Sequence, residues 1–160
     1  MKQEQKELLL KDLCARLHTC NCINGTALTV ALADEQPLEA NQWLISNYDC
    51  YKDKFIVSNT VYASDVERLI DIDNIRPYLF PLSSMSEDQK YEFYLRFIVK
   101  DCDCVFDYFK FYLDNGKWHK LLTSLLAVEE IIDWFHKNHI DYRGLIPMGL
   151  ALDATGKNIY

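Results

Sequence analysis

Residues 26–72, TALTVALADEQPLEANQWLISNYDCYKDKFIVSNTVYASDVERLIDI, decide the fold class. Runs rich in β-branched and aromatic residues at 26–33, 43–51, 54–58, 60–63 and 68–72 alternate with Asn, Asp and Pro, the pattern of short strands joined by turns. Lys54-Phe55-Ile56-Val57-Ser58 is the best of them. Asn24-Gly25, just ahead of the first run, carries the signature of a type I′ hairpin turn, which needs positive φ at both central residues. Asp34-Glu35-Gln36-Pro37 stops that first run. The stretch 39–45 reads equally as a strand or as a short helix.

Helical periodicity flanks this region on both sides. In 7–17, Leu9, Leu10, Leu13, Cys14 and Leu17 share one side, while Glu7 and Lys11 form an i,i+4 pair on the other. Pro77 and Pro81 are expected to break regular structure. Ser86 and Gln89 then form a capping box for a helix over 87–99, with Glu87 and Asp88 at its positive end. Residues 101–115 alternate like a strand at Cys102, Cys104, Phe106 and Tyr108, yet Asp103, Asp107, Lys110 and Asp114 draw a helical polar stripe. Helix is preferred there, with Asn115-Gly116 as its stop. A last helix over 119–138 is predicted to bury Leu121, Leu125, Val128, Ile132 and Phe135 and to turn Glu130, Asp133 and Lys137 outward. Asp141-Tyr142-Arg143-Gly144 turns the chain, and 145–152 returns as an extended or short helical tail.

Strands and helices are segregated along the chain, so the expectation is an α+β fold: an N-terminal helix, a small and mostly antiparallel sheet, then about three helices. The 160 residues suit one domain, 1–160, with no linker, repeat or low-complexity tract. A hydrophobic fraction of 49% against 26% charged residues is ordinary for a globular chain. The net charge of −7 argues against direct nucleic-acid binding and against an anionic membrane surface, both of which are built on Lys and Arg. The N-terminal residues have no apolar signal region and no run is long enough to span a membrane, which points to the cytoplasm. There the cysteines Cys14, Cys20, Cys22, Cys50, Cys102 and Cys104 are expected to be reduced.

Candidate chemistry is sparse. His136 and His139, with the pairs Cys20/Cys22 and Cys102/Cys104, supply zinc-type ligands at spacings unlike those of common sites. The two histidines read as surface groups suited to a helix C-terminus. Cys14 and His18 stand i,i+4, but Cys14 lies on the leucine face, where a thiol is inert. The carboxylates Asp101, Asp103, Asp107 and Asp114 read as a solvated face. No local motif for a nucleophile, a metal protease or a phosphate loop is present, and no cofactor is expected.

Aromatic density stands out. Ten of the chain's 21 aromatic residues fall between Tyr91 and Trp118. They serve either as core or as an interface, because aromatic rings supply many binding hot spots. Phe109, Phe111, Tyr112 and Trp118 are the candidate partner-binding residues, for a protein partner or for self-association. At Phe111 the core reading is preferred, with Phe111→Asp expected to collapse the fold.

Three blocks carry a resemblance. They are 7–17 (ELLLKDLCARL), 75–79 (IRPYL) with 81–87 (PLSSMSE), and Asp133-Trp134 with 139–146 (HIDYRGLI) and 149–152 (GLAL). Together, over about a third of the chain, they resemble a group of small uncharacterised proteins of Bacteroides-type gut bacteria and their phages or mobile elements. The resemblance implies a bacterial or phage cytoplasmic accessory protein and brings no catalytic residue with it. The leading functional expectation is a non-enzymatic protein that acts by binding another protein. The alternatives are an enzyme with a pocket assembled from distant residues and an acidic inhibitor that mimics nucleic acid.

Overall fold

A computed structural model of the chain describes residues 1–22, 27–35, 42–59, 67–99, 106–117, 120 and 126–160. Helix α1 (Gln3–Cys22) runs beyond Leu17 and includes both residues of the Cys20/Cys22 pair. Leu9, Leu13 and Leu17, one turn apart, are buried, as their spacing requires.

Strands β1 (Thr29–Leu32), β2 (Trp43–Asp49), β3 (Lys54–Asn59) and β4 (Glu67–Ile70) form the antiparallel part of a sheet, and β5 (Ile75–Pro81) pairs antiparallel with β1. The order is β4-β3-β2-β1-β5. Phe55 and Val57 alternate inward on β3 while Lys54, Ile56 and Ser58 stay partly exposed, the two-residue period of a half-buried strand. Residues 43–45 belong to β2, so the helical alternative for 39–45 fails over its described part. The predicted turn at Asn24-Gly25 and strand at 60–63 lie outside the described residues.

Pro77 and Pro81 do not break the chain; they lie within β5. Proline lacks an N–H, but its fixed φ suits an extended strand where few ladder bonds are lost. Pro77 is the last β5 residue paired with β1, opposite Val30, and Pro81 is the strand's final residue. Two short strands then extend the sheet in parallel on β5: β6 (Ile140–Asp141) at Phe80–Pro81 and β7 (Leu152–Asp153) at Tyr78–Leu79. The result is an α+β fold on a mixed sheet.

Helix α2 (Glu87–Phe93) opens with the predicted capping box: Ser86 Oγ accepts from the Gln89 N–H, and Gln89 Oε1 accepts from the Ser86 N–H. It continues as a π-turn at Tyr94–Ile98, closed by the Val99 N–H to Tyr94 carbonyl bond of 3.1 Å. Helix α3 (Phe106–Asp114) stops where Gly116 takes φ +64°. Helix α4 (Leu126–Lys137) buries Ile131, Trp134 and Phe135. Its inward face is thus rotated from the predicted seam: Val128 and Ile132 are only half-buried, while Leu121 and Leu125 lie outside the described residues.

Two main apolar clusters result. One joins α1 to the sheet through Leu9, Leu13, Val30, Leu32, Ile45, Phe55 and Val57. The other is aromatic and lies among α2, α3 and α4, with Phe93 at its centre: its ring lies 5.0–5.6 Å from those of Phe97, Phe109, Trp134 and Phe135. Deleting that ring leaves a cavity bordered by four rigid neighbours. Phe93→Ala is therefore expected to lower the unfolding free energy by about 3–5 kcal/mol, measured by urea denaturation.

Candidate functional site

The aromatic residues singled out in the sequence separate onto two sides of α3. Phe109 is fully buried and stacks on Phe93 at 5.6 Å, so its ring belongs to the core. Phe111, two residues and about 200° further round the helix, is 60% exposed. The expectation that Phe111 fills the core is overturned: the interior position is taken by Phe109 and by Leu113, one turn on. Tyr112 is half-buried, edge-on to Phe111 at 5.6 Å. Trp118 lies outside the described residues.

On α2 and its π-turn, Tyr91, Leu95 and Val99 follow one another at four-residue intervals and are 51%, 47% and 47% exposed. Nothing in the sequence distinguished them from the core residues beside them. Leu95, the middle member, lies within the π-turn, with Tyr91 on α2 before it and Val99 at its C-cap, and π-turns recur at functional sites. Around it the charges are paired: Lys110 Nζ–Glu87 Oε2 at 2.6 Å and the buried Lys90 Nζ–Asp114 Oδ1 at 2.9 Å tie α3 to α2. Asp114 is thus an ion-pair partner and Asp107 is exposed, while Asp101 and Asp103 lie outside the described residues.

The second assembly was not legible in the sequence. Asp12 and Arg16, one turn apart on α1, are both fully buried. Arg16 Nε donates to Asp12 Oδ2 at 2.6 Å, and its Nη2 donates to the Ile140 carbonyl at 2.8 Å. Arg143 reaches in from the turn after β6, with Nε 3.1 Å from Asp12 Oδ1. The same Nε donates to the Tyr142 hydroxyl at 2.8 Å. An arginine nitrogen can only donate, so the Tyr142 hydroxyl accepts from Arg143, and its oxygen also lies 3.0 Å from His136 Nε2. Asp141 is spent locally, its two oxygens accepting from the Leu145 and Ile146 N–H groups at 2.8 Å each.

His136 and His139 are not surface groups: they are 1% and 3% exposed. The helix-dipole rule placed them at a C-terminus correctly, but the α1–α4 packing and the returning tail close over them. The His139 ring stacks on Tyr160 at 3.8 Å, and the residue takes φ +53°, a conformation uncommon outside glycine. Burial, reinforced by the Arg16 guanidinium, pushes both imidazoles down to about 4. Burial raises the Cys14 thiol, as expected of an inert cysteine, and Cys50 is an exposed free thiol. Among the described residues no three His, Cys, Asp or Glu side chains converge on a point where a metal ion would fit. The side chains of His18, Cys20 and Cys22, and residues Cys102 and Cys104, lie outside that set. No helix among the described residues is long and apolar enough to cross a membrane.

No family model, curated protein or solved structure matches the chain.

Two outcomes follow from the buried ionic centre. Asp12→Ala leaves two guanidinium groups without their shared carboxylate and is expected to cost about 3–5 kcal/mol, more than the paired change Asp12→Leu/Arg16→Met, which removes carboxylate and guanidinium together. The histidines give a pH signature. An unfolded imidazole titrates near 6.5, so between that value and about 4 the unfolded chain binds protons that the folded one refuses. Stability is full above this window and falls as pH drops through it, by at most about 1.4 kcal/mol per pH unit for each histidine. Urea titrations at several pH values should show the slope, and His139→Phe, which keeps a flat ring against Tyr160, should reduce it.

Proposed function

We propose that the protein is a non-enzymatic binding protein that engages another protein, or a second copy of itself, through the apolar outer face of its helical layer. The observation that supports this most directly is the exposed stripe Tyr91, Leu95 and Val99 together with the outward Phe111 ring. Scattered apolar residues on a surface are ordinary, but three on successive turns of one helical segment form a contiguous strip, the kind of surface that association covers. Large aromatic side chains contribute disproportionately once desolvated in such a contact.

A partner other than nucleic acid fits the charge distribution. The chain is acidic overall, yet cations are interspersed among its carboxylates and pair with some of them, as in Lys6–Asp73, Arg68–Glu35 and Lys110–Glu87, each at 2.6 Å. A face that mimics phosphates would need carboxylates without such partners, so the nucleic-acid mimic is the weaker reading. The resemblance carried by 7–17, by 75–79 with 81–87, and by Asp133-Trp134 with 139–146 and 149–152 adds the context of a cytoplasmic accessory protein of gut bacteria or of their phages and mobile elements.

The test uses Leu95→Asp and Phe111→Asp, singly and together. Both side chains are about half or more exposed, so the variants should fold and melt within a few degrees of the wild type. A carboxylate desolvated in an interface without a counter-charge is destabilising, so association should weaken at least tenfold, by sedimentation for self-association or by capture from the native host for a partner. Unchanged association in the double variant would sink the proposal. A collapsed melting temperature for Phe111→Asp would contradict its outward placement.

A further inference from the structure

The Asp12–Arg16–Arg143 centre holds more positive than negative charge. Two guanidinium groups share one carboxylate, and Asp141, two residues before Arg143, has both oxygens held by backbone N–H groups. Arg16 Nη1 is buried with no hydrogen-bond partner, as are both ring nitrogens of His139. An unpaired donor on a buried cation is costly, and structures seldom retain one without a use. Arg143 is the outer member: its side chain is 28% exposed, its guanidinium lies over the Tyr142 ring, and of its nitrogens only Nε is hydrogen-bonded among the described residues. Its terminal nitrogens therefore remain to meet something from solvent.

His139 strengthens the case. It occupies the left-handed position just past α4, where glycine is the usual residue, and a glycine would relieve the backbone. The imidazole packs flat on Tyr160, whose hydroxyl donates to the Tyr78 carbonyl at 2.8 Å, so the ring is held in place with its nitrogens unused. A neutral imidazole offers one donor and one acceptor. The two guanidinium groups and the imidazole thus supply donors in excess of the acceptors that Asp12 offers them.

We propose that this centre binds a small oxyanion, a carboxylate or phosphate group, recognised by the Arg143 fork at the surface, with the buried guanidinium of Arg16 on the same Asp12 carboxylate adding its charge. Guanidinium is the side chain best shaped for such groups, because two parallel N–H bonds match two oxygens of the anion. Asp12 sets the geometry by orienting both arginines. Binding here is independent of the apolar face of the helical layer, and neither depends on the other.

The probes are inorganic phosphate and acetate, each titrated at constant ionic strength against sodium chloride. One or both should raise the melting temperature saturably, by roughly 3–6 °C at about ten times the dissociation constant. In the same titrations, the Nε–H resonances of Arg16 and Arg143 in the intact wild-type protein should shift. Arg143→Ala leaves the Asp12–Arg16 pair intact and charge-balanced, so it should fold, with its circular dichroism unchanged, and lose the saturable response. Arg143→Lys keeps the charge without the fork and should bind at least tenfold more weakly. A response to phosphate alone assigns a phosphate-type ligand, and one to acetate assigns a carboxylate. The proposal is overturned if neither anion gives a saturable response in the wild type, or if Arg143→Ala responds equally. Should Arg143→Ala fail to fold, the arginine resonances of the wild type decide alone.

Discussion

Arg16 is the joint of this molecule. Its guanidinium takes the Asp12 carboxylate from the turn below and the Ile140 carbonyl from 124 residues further on, all out of contact with water. Neither half of that arrangement is stable without the other. A buried arginine needs its carboxylate, and the pair together needs the packing of α1 on α4 to justify its desolvation. The bond to Ile140 also positions β6, whose neighbour His139 gives its carbonyl to the Phe80 N–H at 2.8 Å. One ionic centre therefore ties the first helix, the last helix and the edge of β5 into one arrangement.

Around this joint the two apolar clusters have different characters. The sheet-side cluster is mainly aliphatic, with Leu, Val and Ile packed around Trp43 and Phe55, while the helical cluster is mainly built of rings. That division explains the aromatic density of 91–118: three short helical segments meet at shallow depth, and each needs large side chains to fill the space between them. It also explains why some rings are left over. A nine-residue helix such as α3 can commit only one face to the core, so a segment aromatic all round must show some of its rings outside.

Much of the fold was legible because its signals are local. Leucine spacing in 7–17, the Ser86/Gln89 box, the alternation at Phe55 and Val57, and Gly116 as a stop each depend on neighbours a few residues away. The losses share one cause. Pro77 and Pro81 argue against a strand by local rule, yet β5 needs ladder bonds on each edge over only part of its length. Phe111 looks like core by size, but Phe109 occupies that place. Asp12 and Arg16 form an i,i+4 acid–base pair of the kind usually seen in solvent, and His136 and His139 stand where a helix end favours a surface cation. Their burial is decided by α1 meeting α4 and the tail, a contact that no window of sequence contains. The candidate oxyanion centre was invisible for that reason.

The separation between Arg16 and Ile140 also has a meaning in time. A chain is made from its N-terminus at about 5–20 residues per second, so the carbonyl that Arg16 requires is synthesised roughly 6–25 s after the arginine itself. During that interval α1 can lay its leucines on β1–β3 as they emerge, while its charged flank stays in water. The polar flank closes only when the segment after α4 arrives. Translation thus leaves the sheet half waiting, with its ionic face open, for the last fifth of the chain to complete it.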